Sequence, residues 1–345
     1  KNFEKGELNL KIDAGIPTND PRESGKATKV LEEAGYDGAF TAETSHDPFL
    51  PLVTAAMETE RIELVTAIAV AFARNPMILA NLGYDLQKLS KGRFILGLGS
   101  QIKPHISKRF SMPWSSPAAR MKEMIEAIRA IWDCWQNEGT LNFKGEFYTH
   151  TLMTPMFSPG PNPYGVPKIY VAAVGPLMTK SVAESADGLL VHPFHTPKYM
   201  TETTLPIVEE SLSSVGKTRS DFDFSISVMT ATGLSEETYK KAIQACKSGI
   251  AFYASTPAYK GVLEAHGYED LQGRLNILSK EGKWGEMTAL IDDELLNTVA
   301  VVAETPEAVA EEIKKRYSDQ GDRITPAFYS GEEGLASRVI SALRS

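Results

Sequence analysis

Short apolar runs alternate with amphipathic stretches along most of the chain. Lys11–Ile16, Gly38–Ala42, Leu64–Val70, Phe94–Gly99, Lys168–Val174, Gly188–Phe194, Phe224–Ala231 and Arg323–Phe328 are apolar at consecutive rather than alternate positions. That is the pattern of strands covered on both faces, as in a parallel sheet. The gaps read as helices with clear starts. Asn75-Pro76 supplies an N-cap and a first-turn proline before "MILANLGYDLQKL", and Ser116-Pro117 is expected to do the same before "AARMKEMIEAIRAIWDCW". In the latter, Met121, Ile125, Ile128, Trp132 and Trp135 recur at three- and four-residue steps and predict one buried stripe. Thr305-Pro306 opens another helix, with Val309 and Ile313 on its inner face.

One junction repeats. "EEAGYDGAF", "ESADGLLV" and "SDQGDRITPAF" each close a helix at Gly or Asp and launch an apolar strand. A helix end needs a residue that tolerates left-handed geometry, and the strand must re-enter the core at once. Repeated units of this kind with eight strands predict an α/β fold, a (β/α)8 TIM barrel; an open doubly wound sheet is the alternative. The chain is expected to form a single barrel domain over 1–345, with two insertions at the catalytic face. One, within 100–165, holds a hairpin ("TLNFKGEFYTH") and a Pro/Gly-rich loop; the other, 235–300, holds several helical pieces. Residues 1–9 are expected to be a flexible or tag-derived terminus.

Composition narrows the class. The two cysteines, Cys134 and Cys246, both fall in helix-like stretches, so no disulfide framework is expected and a reducing, cytoplasmic setting is. The longest apolar run, "LVTAIAVAFA", is too short for a membrane span, and no signal-peptide pattern appears. The net charge of −8 argues against nonspecific nucleic-acid binding. Leu86–Lys122 nonetheless holds eight basic residues and no acidic one, which is either a solvated face or a local field for an anionic ligand.

In a barrel, chemistry collects where strands end. His46 follows the second strand, His105 the fourth, and His192 and His195 the sixth; of the six histidines only His150 and His266 lie elsewhere. "GAFTAETSHDPF" places Glu43, His46 and Asp47 together at the end of the second strand. His46 is expected to be an acid–base group there, while Asp47-Pro48 caps the next helix. "ILGLGSQ" and "YVAAVGPLMTK" end strands four and five, where glycine lets backbone approach a ligand and a helix start at Pro176 can hold a phosphate. Gly97-x-Gly99 lacks the third glycine of a dinucleotide fingerprint. The third strand end narrows to Ala67, Ala69, Ala71 and Ala73, leaving room for something flat.

The strand-three segment running into "RNP", then "KGRFILGLGS", then "AAVGP" and "SADGLLVHPF", resemble in order and spacing the bacterial luciferase-like monooxygenase family. "TAETSHDPFLP" and "IAFYASTPAY" are similar to its coenzyme F420-dependent branch, and the resemblance runs from Leu10 to Arg344. It implies a deazaflavin ring across the C-terminal mouth, a non-prolyl cis peptide at Ala67–Ile68 with Ala69 following, and a tail-phosphate loop at Ala173, Val174, Gly175 and Pro176. Gly99, Ser100 and Gln101 would line the same pocket, and the family's acidic residue at the strand-two end falls on Glu43. The sequence departs from that pattern in two places: Glu43 and His46 are three apart, and Ser100-Gln101 stand where many relatives carry a glutamate proton donor.

The function implied is hydride transfer between F420 C5 and a small organic substrate, with His46 as acid–base group and Glu43 either orienting it or contacting the ring's polar edge. A homodimer is the family habit; neither nucleic acid nor membrane is an expected partner. The alternatives are an FMN-dependent monooxygenase, a metal-dependent barrel hydrolase ligated by His46, His105, His192 and His195, and a non-catalytic cofactor-binding homologue.

Overall fold

In a computed structural model, which describes residues 10–345, eight parallel strands close into a ring. They are β1 (Lys11–Gly15), β2 (Gly38–Thr41), β3 (Glu63–Thr66), β4 (Phe94–Gly99), β5 (Lys168–Ala173), β6 (Gly188–Val191), β7 (Asp223–Ala231) and β8 (Arg323–Phe328). Each pairs with its neighbours in chain order, and β8 returns to β1. The fold is therefore a (β/α)8 barrel. The terminus 1–9 lies outside the described residues.

Capping follows the sequence in most places. Asn75 accepts from the Ile78 amide and Thr305 from the Ala308 amide, each ahead of a first-turn proline. The stripe Met121–Trp135 is buried along its helix, Pro117–Gln136. Ser116 does not cap that helix as expected. It sits in left-handed backbone (φ 38°) with no side-chain bond, because the chain arrives from a long irregular loop rather than from a strand.

Two strands are shorter than their apolar runs by more than one residue. Leu64–Val70 breaks at Ala67–Ile68, where the peptide is cis, and Ala69–Val70 resumes pairing with Leu98 and Gly99. Gly188–Phe194 ends as a strand at Val191, because Pro193 cannot continue a ladder. β1 and β8 pair over two residues only, Lys11 with Arg323 and Ile12 with Ile324. Beyond them they separate around a cavity of about 380 Å³, lined mostly by apolar side chains such as Ala14, Phe40 and Phe328.

The N-terminal end of the ring is closed by charge. Arg323 makes a bidentate pair with Asp13 at 2.7 Å on each arm and also bonds Glu63, which Lys11 engages at 2.8 Å. Burial disfavours the Arg323 charge, but Asp13 and Glu63 together hold its pKa above the ordinary value. Tyr170 and Lys168 both reach Asp223 beside them.

Both expected insertions carry their own structure. Phe143–Lys144 and Thr149–His150 form an antiparallel hairpin. Residues 235–300 fold as helices around a separate apolar core that includes Cys246, Ile250, Leu263, Leu275 and Leu295. Among the described residues no helix is long and apolar enough to cross a membrane.

Candidate active site at the barrel mouth

The site is built around the break in the third strand. Ala67 and Ile68 are half-exposed and line a central cavity of about 220 Å³, with Phe40, Tyr170, Ala172, His192, Ser227 and Thr325 around it. Glu43 holds this segment from below. Its backbone N–H donates to the Ile68 carbonyl at 3.0 Å, and its carboxylate accepts from the Val70 amide at 2.7 Å and from Arg74 at 2.6 Å. Arg74 also reaches the Val70 carbonyl and Asp47. Asp47 in turn accepts from the amides of Phe49 and Leu50, although the N-cap of the helix Leu50–Glu58 is Phe49, so Asp47 holds the helix entry from two positions earlier rather than as its cap.

Glu43 is buried, so its partner is decisive, and that partner is Arg74 rather than His46. His46 is exposed on the loop after β2, and no hydrogen bond joins it to Glu43. Glu43→Ala would leave the Val70 N–H unpaired and take from the nearly buried Arg74 guanidinium its shortest ion pair, with only Asp47 and the Val70 carbonyl remaining. We expect it to cost about 3 kcal/mol in urea unfolding, and Glu43→Gln, which keeps one acceptor, about half of that.

The glycines of β4 also meet a steric demand that their spacing did not reveal. A side chain at Gly97 would place its Cβ 1.7 Å from the Thr66 carbonyl oxygen, and one at Gly99 would meet Ile68 at 2.8 Å. Thr66 Oγ1 bonds both the carbonyl and the amide of Gly97. Both positions are small to receive the broken third strand. Gly99 and Ala69 lie buried in the wall. Ser100 and Gln101 stand half-exposed just past it, Gln101 in left-handed backbone and Ser100 bonded to the Gln101 carbonyl.

Ala173, Val174, Gly175 and Pro176 line a second, narrow pocket that shares Val191 and His192 with the central cavity. Gly175 has φ 82° with open space about its Cα, so the turn into the helix Pro176–Ser185 requires glycine for its conformation.

The four histidines read as rim residues do not converge. His46 is exposed on a loop and His105 on the short helical turn His105–Arg109, whereas His192 and His195 are drawn inward. Burial pushes the His192 ring down to about 3 and the His195 ring to about 4, so both are neutral at pH 7. His195 Nδ1 lies 2.8 Å from the His192 carbonyl and its Nε2 is sealed without a partner, a packing role. Among the described residues no three His, Cys, Asp or Glu side chains gather as a metal site would need.

Half of the basic run is committed to structure as well, while Lys88, Lys91, Lys103 and Lys108 are exposed. Arg93 bonds the carbonyls of Ser90, Ala56, Thr59 and Ile62, Lys122 pairs with Glu184, and Arg120 lies against Phe72 and Tyr148. Arg109 ties the loop after β4 to the Thr44 carbonyl beside His46.

Sequence inspection missed Arg74, the ion that fixes Glu43, and the collar around His192. "HPFH" directly after a strand was the visible signal for His192. Its partners Tyr253 and Tyr259 lie some sixty residues away in an insertion, within the "IAFYASTPAY" stretch, and nothing in that stretch shows that they meet His192.

A parallel barrel whose third strand breaks to floor a mouth cavity, with a glycine-turn pocket beside it, is the plan of a barrel enzyme with a ligand at its C-terminal face. Residues 7–323 match the luciferase-like monooxygenase family, and the chain belongs to that family. An uncharacterized protein of Mycobacterium tuberculosis is 50% identical over 98% of this chain and 99% of its own. A 5,10-methylenetetrahydromethanopterin reductase of Archaeoglobus fulgidus is 28% identical, covering 83% of each chain. The structure of a coenzyme F420-dependent tetrahydromethanopterin reductase from Methanopyrus kandleri superposes with a TM-score of 0.78 at 20% identity, covering 98% of both chains.

Proposed function

We propose that the protein is an F420-dependent oxidoreductase that moves a hydride between the deazaflavin and a small organic substrate. The observation that carries this is the Glu43–Arg74 clamp on the segment Ala67–Val70. It turns a small, flat stretch of backbone toward the mouth cavity, with the Ala173–Pro176 turn close by. The residues present fit such a group: half-exposed Ala67 and Ile68 for a flat ring, and a glycine turn at a helix start for a phosphate. The reductase relatives point the same way.

When bound, F420 supplies a two-electron hydride donor or acceptor at C5. The chain's own part is placement and exclusion of water. Glu43 is then a positioning residue acting through Val70 and Arg74. Gly99, Ser100 and Gln101 edge the ring site, Ala69 anchors the break by pairing with Leu98, and His46 is the acid–base candidate at the rim. Titration of the purified protein with oxidised F420, followed by deazaflavin fluorescence, is expected to saturate at micromolar or tighter dissociation constant, about −8 kcal/mol or better. FMN in a parallel titration is expected to bind far more weakly. Preference for FMN would transfer the site to flavin-dependent oxygen chemistry, and binding of neither would remove the redox function.

A further inference from the structure

The polar wall of the central cavity carries no net charge. Ser225, Ser227, Thr325 and His192 face it, and its one ion pair, Asp13–Arg323, is closed upon itself. Arg323 already gives its remaining arm to Glu63, so no cation in that lining is free to meet an anion.

His192 is held there with unusual firmness for a residue just past a strand. Its ring lies 4.6 Å from Tyr253, edge to face, and 4.6 Å from Tyr259, tilted by 31°. Both tyrosines come from the helical insertion: Tyr253 from the helix Glu236–Ala254, Tyr259 from the turn Pro257–Tyr259. Tyr253 is steadied in turn by Tyr329, just past β8, whose hydroxyl lies 3.5 Å from its own. The Phe194 amide donates to His192 Nδ1 at 3.1 Å. With Nδ1 an acceptor, the proton of the neutral ring sits on Nε2. Among the described residues Nε2 has no hydrogen-bond partner, and the ring lines both the central cavity and the pocket beside it. Nε2–H is thus a positioned donor at the cavity edge that no group among the described residues takes up, open to an acceptor on a ligand.

We propose that His192 is a substrate-binding residue: its Nε2–H donates a hydrogen bond to an uncharged oxygen, in the simplest case a carbonyl, of a largely apolar substrate in the central cavity. This rests on the oxidoreductase function proposed for that cavity. It adds a substrate class. A carboxylate or phosphate ester would surrender its hydration for a single neutral donor, whereas a ketone or aldehyde gives up little and gains that donor.

The test is made on protein labelled with ¹⁵N-histidine, reading the His192 ring nitrogens by NMR, first without and then with F420. Cyclohexanone, methylenecyclohexane and cyclohexanecarboxylate are the probes, alike in shape and different in the one group that matters. Cyclohexanone is expected to move the Nε2 resonance saturably and to bind at least about tenfold more tightly than either of the others. His192→Leu should lose about tenfold in ketone affinity, and His192→Gln, which keeps an N–H donor, should recover most of it.

Four results overturn the proposal. These are a protonated Nδ1 in the free protein, no ketone binding, a carboxylate that binds as well as the ketone, or a shift produced by F420 alone to which ketone adds nothing. The last would move His192 onto the cofactor. Because the ketone titration is also run without F420, failure of F420 to bind and failure of His192 to bind oxygen are separate outcomes.

Discussion

Gly97→Ala is expected to abolish the folded protein. The added Cβ would lie 1.7 Å from the Thr66 carbonyl oxygen and 2.9 Å from its carbon. These are backbone atoms with no rotamer to yield, and they are held by Thr66 Oγ1, which bonds Gly97 on both sides. The clash can be relieved only by parting β3 from β4 at the point where the third strand breaks, which undoes the barrel wall. We expect a loss above about 4 kcal/mol, seen as insoluble expression or as absence of a cooperative urea transition. Gly273→Ala is the control. It lies exposed in the helix Leu271–Lys280 with nothing within 4 Å of the new atom. It should be neutral or stabilising by up to about 1 kcal/mol. A soluble Gly97→Ala protein with near-native unfolding would mean that the two strands do not approach as described.

Arg323→Met ranks second. Its guanidinium is 3% exposed and meets an Asp13 carboxylate that is 4% exposed. Removing the cation leaves a carboxylate in the barrel interior with no counter-charge, a loss of about 3–5 kcal/mol in urea unfolding. The Asp13→Leu/Arg323→Met double variant is expected to recover most of that, because an apolar pair of similar bulk carries no desolvation cost. Gly38 belongs to the same cluster: a Cβ there would fall 2.4 Å from Asp13 Oδ1 and 2.5 Å from Arg323 Nη2, so the pair claims the space a side chain would need. If the single variant lost less than the double, the pair would be of no consequence to folding.

The barrel was legible because its evidence is local. Runs of apolar residues, prolines one step inside helices, and Gly or Asp ahead of strands each report the backbone within a few positions. Asn75, Thr305 and the stripe Met121–Trp135 all behave as their neighbours in sequence dictate. Ser116 fails for the same reason in reverse, since its geometry is imposed by a loop that arrives from elsewhere.

The site is another matter. An alanine-rich strand end, a glycine pair and an acid after the second strand could all be picked out in the sequence, but not what each one touches. Glu43 looked like the partner of His46, three residues away; the fold gives it Arg74, thirty-one residues on, because β2 and β3 lie side by side. Gly97 and Gly99 were visible as small residues at a strand end, but not that a side chain there would strike Thr66 and Ile68. His192 was one histidine among four until Tyr253 and Tyr259 closed around it from a separate core.

Local patterning therefore determined the eight strands and their order, since periodicity and turn preference act through the chain itself. Only the tertiary structure decided which polar groups are paired, which glycines are sterically required and which histidine keeps a free donor. Those depend on contacts between residues far apart in sequence, and on burial that no residue sets alone.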